Sequence, residues 1–358
     1  MAQQVSWSTA LNVARFIGER SPQVSPSELE DLRSELSEIL PTALSEVAEF
    51  TGIDVQDTHP KLEVVDRTQW IEANLDSYRF LIEKVARSVD ARNGVLGSEH
   101  LNGASVGAMI GWMSSRVLGQ YDLLLQQGAA PTPGIVYFVG PNIIHIERRM
   151  GFQRRQFRHW VALHELTHRT QFEGIPWFRG YFSGLVDELV AFEPPSISKV
   201  IDKVAKVMSD RNEVKRSVAE FGLAGFVASE AQIDAMRRVS ILMSLAEGHG
   251  DWVMDRAAGR SLPEAWRFSS TLAERRASAS GLSKLMQTLL GIEAKLGQYA
   301  KGEVFIQAIE DLAPGSSKSL WDSPSSLPTF DEFSNPTLWV ERCGGSTVAR
   351  SGSAETLT

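Results

Sequence analysis

The sequence predicts a mainly α fold, α+β by formal class, with one small, short-stranded sheet. Three observations carry this. Apolar residues recur at helical spacing through most of the 358 residues. One run, Ile135-Val136-Tyr137-Phe138-Val139, Gly140-Pro141-Asn142, Ile143-Ile144-His145-Ile146, has β-branched and aromatic residues around a turn signal, and reads as two short strands or one bent strand. Just after it, Phe157 to Phe172 forms an apolar helix containing H-E-x-x-H, as His164, Glu165 and His168.

Residues 1–52 read as two helices. Trp7, Leu11, Ala14 and Ile17 are helically spaced in the first. The second starts at Ser25-Pro26-Ser27-Glu28, where Ser25 is a helix cap, Pro26 occupies the first turn and Glu28 stands three on. Leu29, Leu32, Leu36 and Leu40 line one face, and Pro41 is expected to kink or restart the helix. Asp54 to Pro60 is a loop, with His59 at the surface. Helices are expected at 67–92 and about 104–127. The second opens with Gly103, Gly107 and Gly111, which allow close helix contact, and carries Arg116, Gln120 and Asp122 as a polar network or a solvated stripe.

The His164 helix ends before Pro176. Helices are then expected at 177–192, 196–209, 229–257, 263–275 and 281–311. In the 229–257 helix, Gly248 and Gly250 flank His249 and follow Glu247. Mid-helix glycine costs about 1 kcal/mol against alanine, so something is expected to approach this backbone closely. Residues 313–342 read as an irregular segment pinned by Trp321 and Trp339, and the Gly/Ser/Thr-rich end as a disordered tail. The expected regions are a helical one at 1–130, a metal-site region at 131–312, an irregular segment at 313–343 and a tail at 344–358.

Composition narrows the function. A formal net charge of −8 argues against a nucleic-acid or anionic-membrane partner. The single cysteine, Cys343, excludes an internal disulfide and a cysteine-built zinc site, and fits a reducing compartment. With neither a secretory signal nor an apolar run long enough to span a bilayer, a cytoplasmic protein is the expectation.

His164 and His168 stand one helical turn apart, so both imidazoles face one point, where they can hold zinc. Glu165 lies beside them, placed to take a proton from a water on the metal. A third ligand is needed. Glu247 is the preferred candidate, with Asp251 one turn on as the carboxylate that orients a ligand histidine. The Asp187/Glu188 pair is second and His249 third. His145 reads as a strand side chain. Tyr181, Arg179 and His249 could each stabilise an oxyanion. A strand beside the metal helix could hold an extended peptide by edge pairing.

Several strings are similar to a bacterial family, the zincin-like metallopeptidase type 2 proteins. They are Gly107 to Trp112, Val117 to Asp122, Gly140-Pro141-Asn142, Phe157 to Phe172, Leu327-Pro328 and Pro336 to Trp339. H-E-L-T-H at 164–168 with E-x-x-x-D at 247–251 also resembles the gluzincin arrangement of zinc peptidases. The resemblance spans roughly residues 5–342. Some members carry a label associating them with biosynthesis of a deazaflavin coenzyme, from which no chemistry follows. The resemblance implies a zincin-like, mainly helical fold with a small sheet. It also implies His164, His168 and Glu247 as zinc ligands and Glu165 as catalytic base. The expected function is zinc-dependent hydrolysis of a peptide or protein. The alternatives are a non-catalytic scaffold that keeps the metal site, and a zinc hydrolase of a non-peptide amide or ester.

Overall fold

The structure, a computed structural model, describes residues 5–55, 60–75, 79, 99–121, 134–190, 230–271 and 302–343. It is mainly helical with one three-stranded sheet. Two compact units divide the chain. The first comprises Met1–Phe50, Asp54–Thr170 and Val253–Leu289, and the second Thr51–Ile53, Gln171–Trp252 and Leu290–Thr358.

In the first unit, α1 (Trp7–Gly18) starts at Ser6, whose hydroxyl accepts from the Thr9 amide. The long α2 (Pro26–Thr51) has a capping box: the Ser25 amide donates to Glu28 Oε2 at 2.9 Å, and the Glu28 amide to Ser25 Oγ at 3.3 Å. Its buried face includes Leu32, Leu36, Leu40, Ala43 and Val47. The helix runs through Pro41 without restarting.

Helix α3 (Glu99–Ser114) packs on α1 through glycines one turn apart. A Cβ on Gly103 would stand 2.4 Å from the Ser6 carbonyl oxygen, and one on Gly107 2.3 Å from that of Ala10. Gly111 meets Ile17 and Ala14 in the same way. Backbone sits on backbone here, as the small-residue pattern led one to expect. Gly107→Ala is therefore expected to force the helices apart and cost about 1–3 kcal/mol, read from the urea midpoint.

The sheet has the order β1-β3-β2. β1 (Lys61–Val65) runs parallel to β3 (Ile135–Val139), with Leu62 opposite Val136, and β2 (Gly119–Tyr121) runs antiparallel, with Gln120 opposite Tyr137. β3 is the expected strand; the other two depart from expectation. β1 is only five residues long with lysine and glutamate in its first half, so its strand period is short and weak. β2 falls inside the expected 104–127 helix, which instead stops at Ser114.

The expected strand at Ile143–Ile146 is the helix α4 (Gly140–Met150). Pro141 sits at its start and Gly151 closes it with φ 61°, signals that outweigh the β-branched run. Ile143, Ile144 and Ile146 are buried while His145 is exposed on the helix, so His145 is not a strand side chain. Buried Asn142 accepts from Arg67 Nε at 2.7 Å and donates to the carbonyls of Ser114 and Val117 at 2.8 and 2.7 Å. It thereby fixes the connection leading into β2. Gln120 donates to Asn74, Arg116 lies 4.0 Å over the Trp112 ring, and Asp122 lies outside the described residues.

The metal-motif helix α5 (Arg154–Gly174) is anchored in this unit by charge and by aromatic packing. Arg158 grips buried Glu147 with two bonds of 2.8 and 3.0 Å and reaches Glu35 at 2.6 Å. Burial pushes the Glu147 carboxyl up, against the pull of Arg158. Phe157, Trp160 and Phe152 pack around Phe268 with ring centroids 4.8–5.8 Å away. Trp160 also donates to Asp255.

The second unit holds α6 (Phe178–Val190), most of α7 (Glu230–Ser261), α8 (Gly302–Leu312), α9 (Phe330–Ser334) and α10 (Pro336–Cys343). Short 3₁₀ turns lie at Ser316–Trp321 and Pro324–Ser326, so the segment expected to be irregular is a series of short helical pieces. Tryptophans do pin it: Trp177 Nε1 donates to the Trp321 carbonyl at 2.9 Å, and buried Trp339 to that of Ser326 at 2.7 Å. Glu332 completes a capping box with Thr329 and pairs with Arg342.

Burial raises the Glu332 pKa, but the bonds from Arg342 and the Thr329 amide outweigh it and hold the carboxyl below its ordinary value of 4.5. A carboxyl depressed by folding stabilises above its unfolded pKa, and that contribution is lost as pH falls through the folded one. Glu332→Gln should cost about 1–2 kcal/mol at neutral pH, allowing for the solvent screening of half-exposed Arg342. Urea midpoints of the two proteins should converge on acidification below pH 4.5.

The helix expected at 196–209, residues 281–301 of the one expected at 281–311, residue His59 and the tail from 344 lie outside the described residues. Among the described residues, no helix is long and apolar enough to cross a membrane.

Candidate metal centre

Helix α5 starts where Gln153 caps it, its side-chain oxygen accepting from the Gln156 amide at 2.6 Å. Phe157, Trp160, Val161, Leu163 and Leu166 bury its faces, which leaves His164 and His168 half-buried along one line. Their Nε2 atoms are 3.2 Å apart, and the rings stand edge to face with centroids at 4.7 Å. Glu165 is 5 % exposed. It lies directly against β2: a Cβ on Gly119 would come within 2.5 Å of Glu165 Cγ and 2.7 Å of Oε1.

Glu247 is half-buried on α7. One ligand atom each from His164, His168 and Glu247 lie within 4.8 Å of one another. No other group of three or more His, Cys, Asp or Glu side chains is gathered this way among the described residues. Two nitrogens each about 2.0–2.1 Å from a tetrahedral ion stand about 3.3 Å apart, close to the histidine spacing here. Two imidazoles and one carboxylate are also a donor set that suits zinc with a fourth position open. The residues present therefore fit the metal.

Asp187, Glu188, His249 and Asp251 are not gathered into this group. Asp187 and Glu188 are exposed on α6, with Glu188 paired to Arg238 at 2.6 Å. His249 is buried, its ring 4.9 Å from Trp321. Gln171 donates to the Ala246 carbonyl at 3.0 Å, so its amide NH2 faces α7, and His249 Nδ1, 3.1 Å away, accepts from the same group. Asp251 is half-buried, one turn beyond Glu247. Tyr181 packs on Trp177 at 5.8 Å, and Arg179 is half-buried on α6.

The glycine by Glu247 has the close neighbour its cost suggested. A Cβ on Gly248 would stand 2.2 Å from the Glu303 amide nitrogen and 2.6 Å from Gly302 Cα, so α7 and the start of α8 touch backbone to backbone. Two contributors escaped the sequence reading. Gln171, near the end of α5, carries no signal of its own in the sequence, although it grips the carbonyl preceding Glu247. Gly119 was read as mid-helix; a glycine followed by Gln-Tyr after Val-Leu was the available strand signal.

A mainly helical body with a small sheet, in which an H-E-x-x-H helix lies against a strand of that sheet, is what a zincin-like protein presents. The chain belongs to the zincin-like metallopeptidase family, whose model matches residues 5–340. Among solved structures it is similar to the crystal structure of a "putative hydrolase with a novel fold" from Chloroflexus aurantiacus. The identity is 27 % over 94 % of this chain and 98 % of that one, with a TM-score of 0.74. No curated protein matches the sequence.

Proposed function

We propose that this chain is a zinc-dependent hydrolase acting on peptide bonds. The observation that carries the reading is the pair of imidazoles on α5, with Nε2 atoms 3.2 Å apart and the buried Glu165 next to them in the chain. His164, His168 and Glu247 hold the metal, and Asp251 orients a ligand ring. Bound there, zinc supplies Lewis acidity, polarising the scissile carbonyl and making water acidic near neutrality. Glu165 accepts a proton from the attacking water and delivers it to the leaving amine nitrogen. The burial of Glu165 supports this role, since a pure metal scaffold has no need of a carboxylate at that position. Tyr181, Arg179 and His249 each carry a donor with the chemistry to stabilise an oxyanion.

The substrate is a peptide or protein. β2 is an edge strand of the sheet and lies against Glu165, which supports docking of an extended chain along it. A net charge of −8 speaks against nucleic acid, and the reading places the protein in the cytoplasm. The description of the Chloroflexus aurantiacus structure as a hydrolase supports hydrolysis without naming a bond, and hydrolysis of a non-peptide amide or ester is the second reading.

The test is to incubate zinc-loaded protein with casein, a peptide library, and panels of esters and small amides. Cleavage of peptides supports the proposal. Turnover of esters or small amides alone selects the second reading, and no turnover by a fully zinc-loaded chain leaves a scaffold.

A further inference from the structure

We propose that Gly119 is a positioning residue for Glu165, the missing side chain being the space that the carboxylate occupies. This rests on the reading of Glu165 as the general base. Gly119 is not one of the glycines with positive φ, which are Gly52, Gly151 and Gly315 among the described residues, so its backbone does not require glycine. It is a strand residue opposite Phe138, where glycine weakens the strand and marks a close approach. What approaches is one side chain: the three nearest atoms to a Cβ at this position are Glu165 Cγ at 2.5 Å, Cδ at 2.7 Å and Oε1 at 2.7 Å.

Neither backbone can retreat. The strand is held by its pairing with β3 and by the Val139 amide, which donates to the Leu118 carbonyl at 2.8 Å. Just upstream, Asn142 grips the Val117 carbonyl at 2.7 Å. Glu165 is buried on a helix that Arg158 and the Phe157–Trp160–Phe268 cluster fix in place. A methyl group at 119 must therefore turn the Glu165 side chain away from its present seat. The strand backbone acts as a stop that confines the carboxylate to one position, at lower conformational freedom than an open pocket would leave it.

The experiment is a melting-temperature cycle on the full chain: wild type, Gly119→Ala, Glu165→Ala and the double variant, each with zinc and with chelator. Gly119→Ala is expected to lower the melting temperature by about 5 °C in the wild-type background. In the Glu165→Ala background, where no Cγ remains, it should have no effect or raise it. Equal losses in both backgrounds would overturn the proposal, because the methyl would then be meeting something other than Glu165. In casein hydrolysis, Gly119→Ala should lower kcat tenfold or more, with KM and zinc content unchanged. An unaltered kcat also overturns it. A wild-type chain that takes up no zinc would refute the metal reading instead, and the melting cycle would still decide the role of Gly119.

Discussion

Glu165→Gln is expected to lower kcat for peptide cleavage by about 10²–10⁴-fold while zinc content stays at that of the wild type. The amide has nearly the volume of the carboxylate, so the tight seat against Gly119 is preserved and no cavity opens. What disappears is the capacity to accept a proton from water and return it to the leaving nitrogen. Glu165 is not in the group that gathers to hold the ion, so metal retention should not suffer. Steady-state cleavage of casein or a fluorogenic peptide, with elemental analysis of the same sample, checks both halves. Full activity in Glu165→Gln would assign the proton transfer to another residue.

The second large effect concerns the ligands. His164→Ala, His168→Ala and Glu247→Ala should each purify with little zinc, since two donors do not make a stable site. Asp251→Asn should weaken zinc binding by only about 10–100-fold, as expected for a residue that orients a ligand without touching the metal. Titration of the chelator-stripped proteins with zinc against a competing indicator gives this ranking directly. A Glu247→Ala protein that binds zinc like the wild type would remove Glu247 from the site, and the half-buried Asp251 would become the next carboxylate to test.

How much of this was legible follows from how local each signal is. The spacing of His164, Glu165 and His168 is complete within five residues, so the helix and its buried setting could be read directly. The Ser25–Glu28 capping box and the Gly103-Gly107-Gly111 face are equally local, and the structure has both. Gly248 signalled a close neighbour through its cost in a helix, yet only the fold identifies that neighbour as Gly302. Glu247 stood out through its E-x-x-x-D spacing with Asp251, and the family resemblance pointed to the same residue, but it lies a long stretch of chain beyond His168 and no spacing rule reaches that far.

The sheet was the least legible part. β1 and β2 are five and three residues long, too short for a period to declare itself, and β2 is set by the Asn142 clasp on Ser114 and Val117. In α4 the isoleucines argued for a strand, whereas Pro141 and Gly151 governed the outcome. Where end signals and side-chain propensity conflicted, the end signals prevailed, because they concern backbone groups that must be satisfied in either conformation.

The most direct measurement is zinc-edge X-ray absorption on the purified wild-type protein, with its metal content determined alongside. One zinc per chain, bound by two imidazole nitrogens and oxygen donors at about 2.0–2.1 Å, is the expected result. A protein that stays metal-free in equimolar zinc, or a spectrum without histidine scattering, would contradict a metal centre built on His164 and His168.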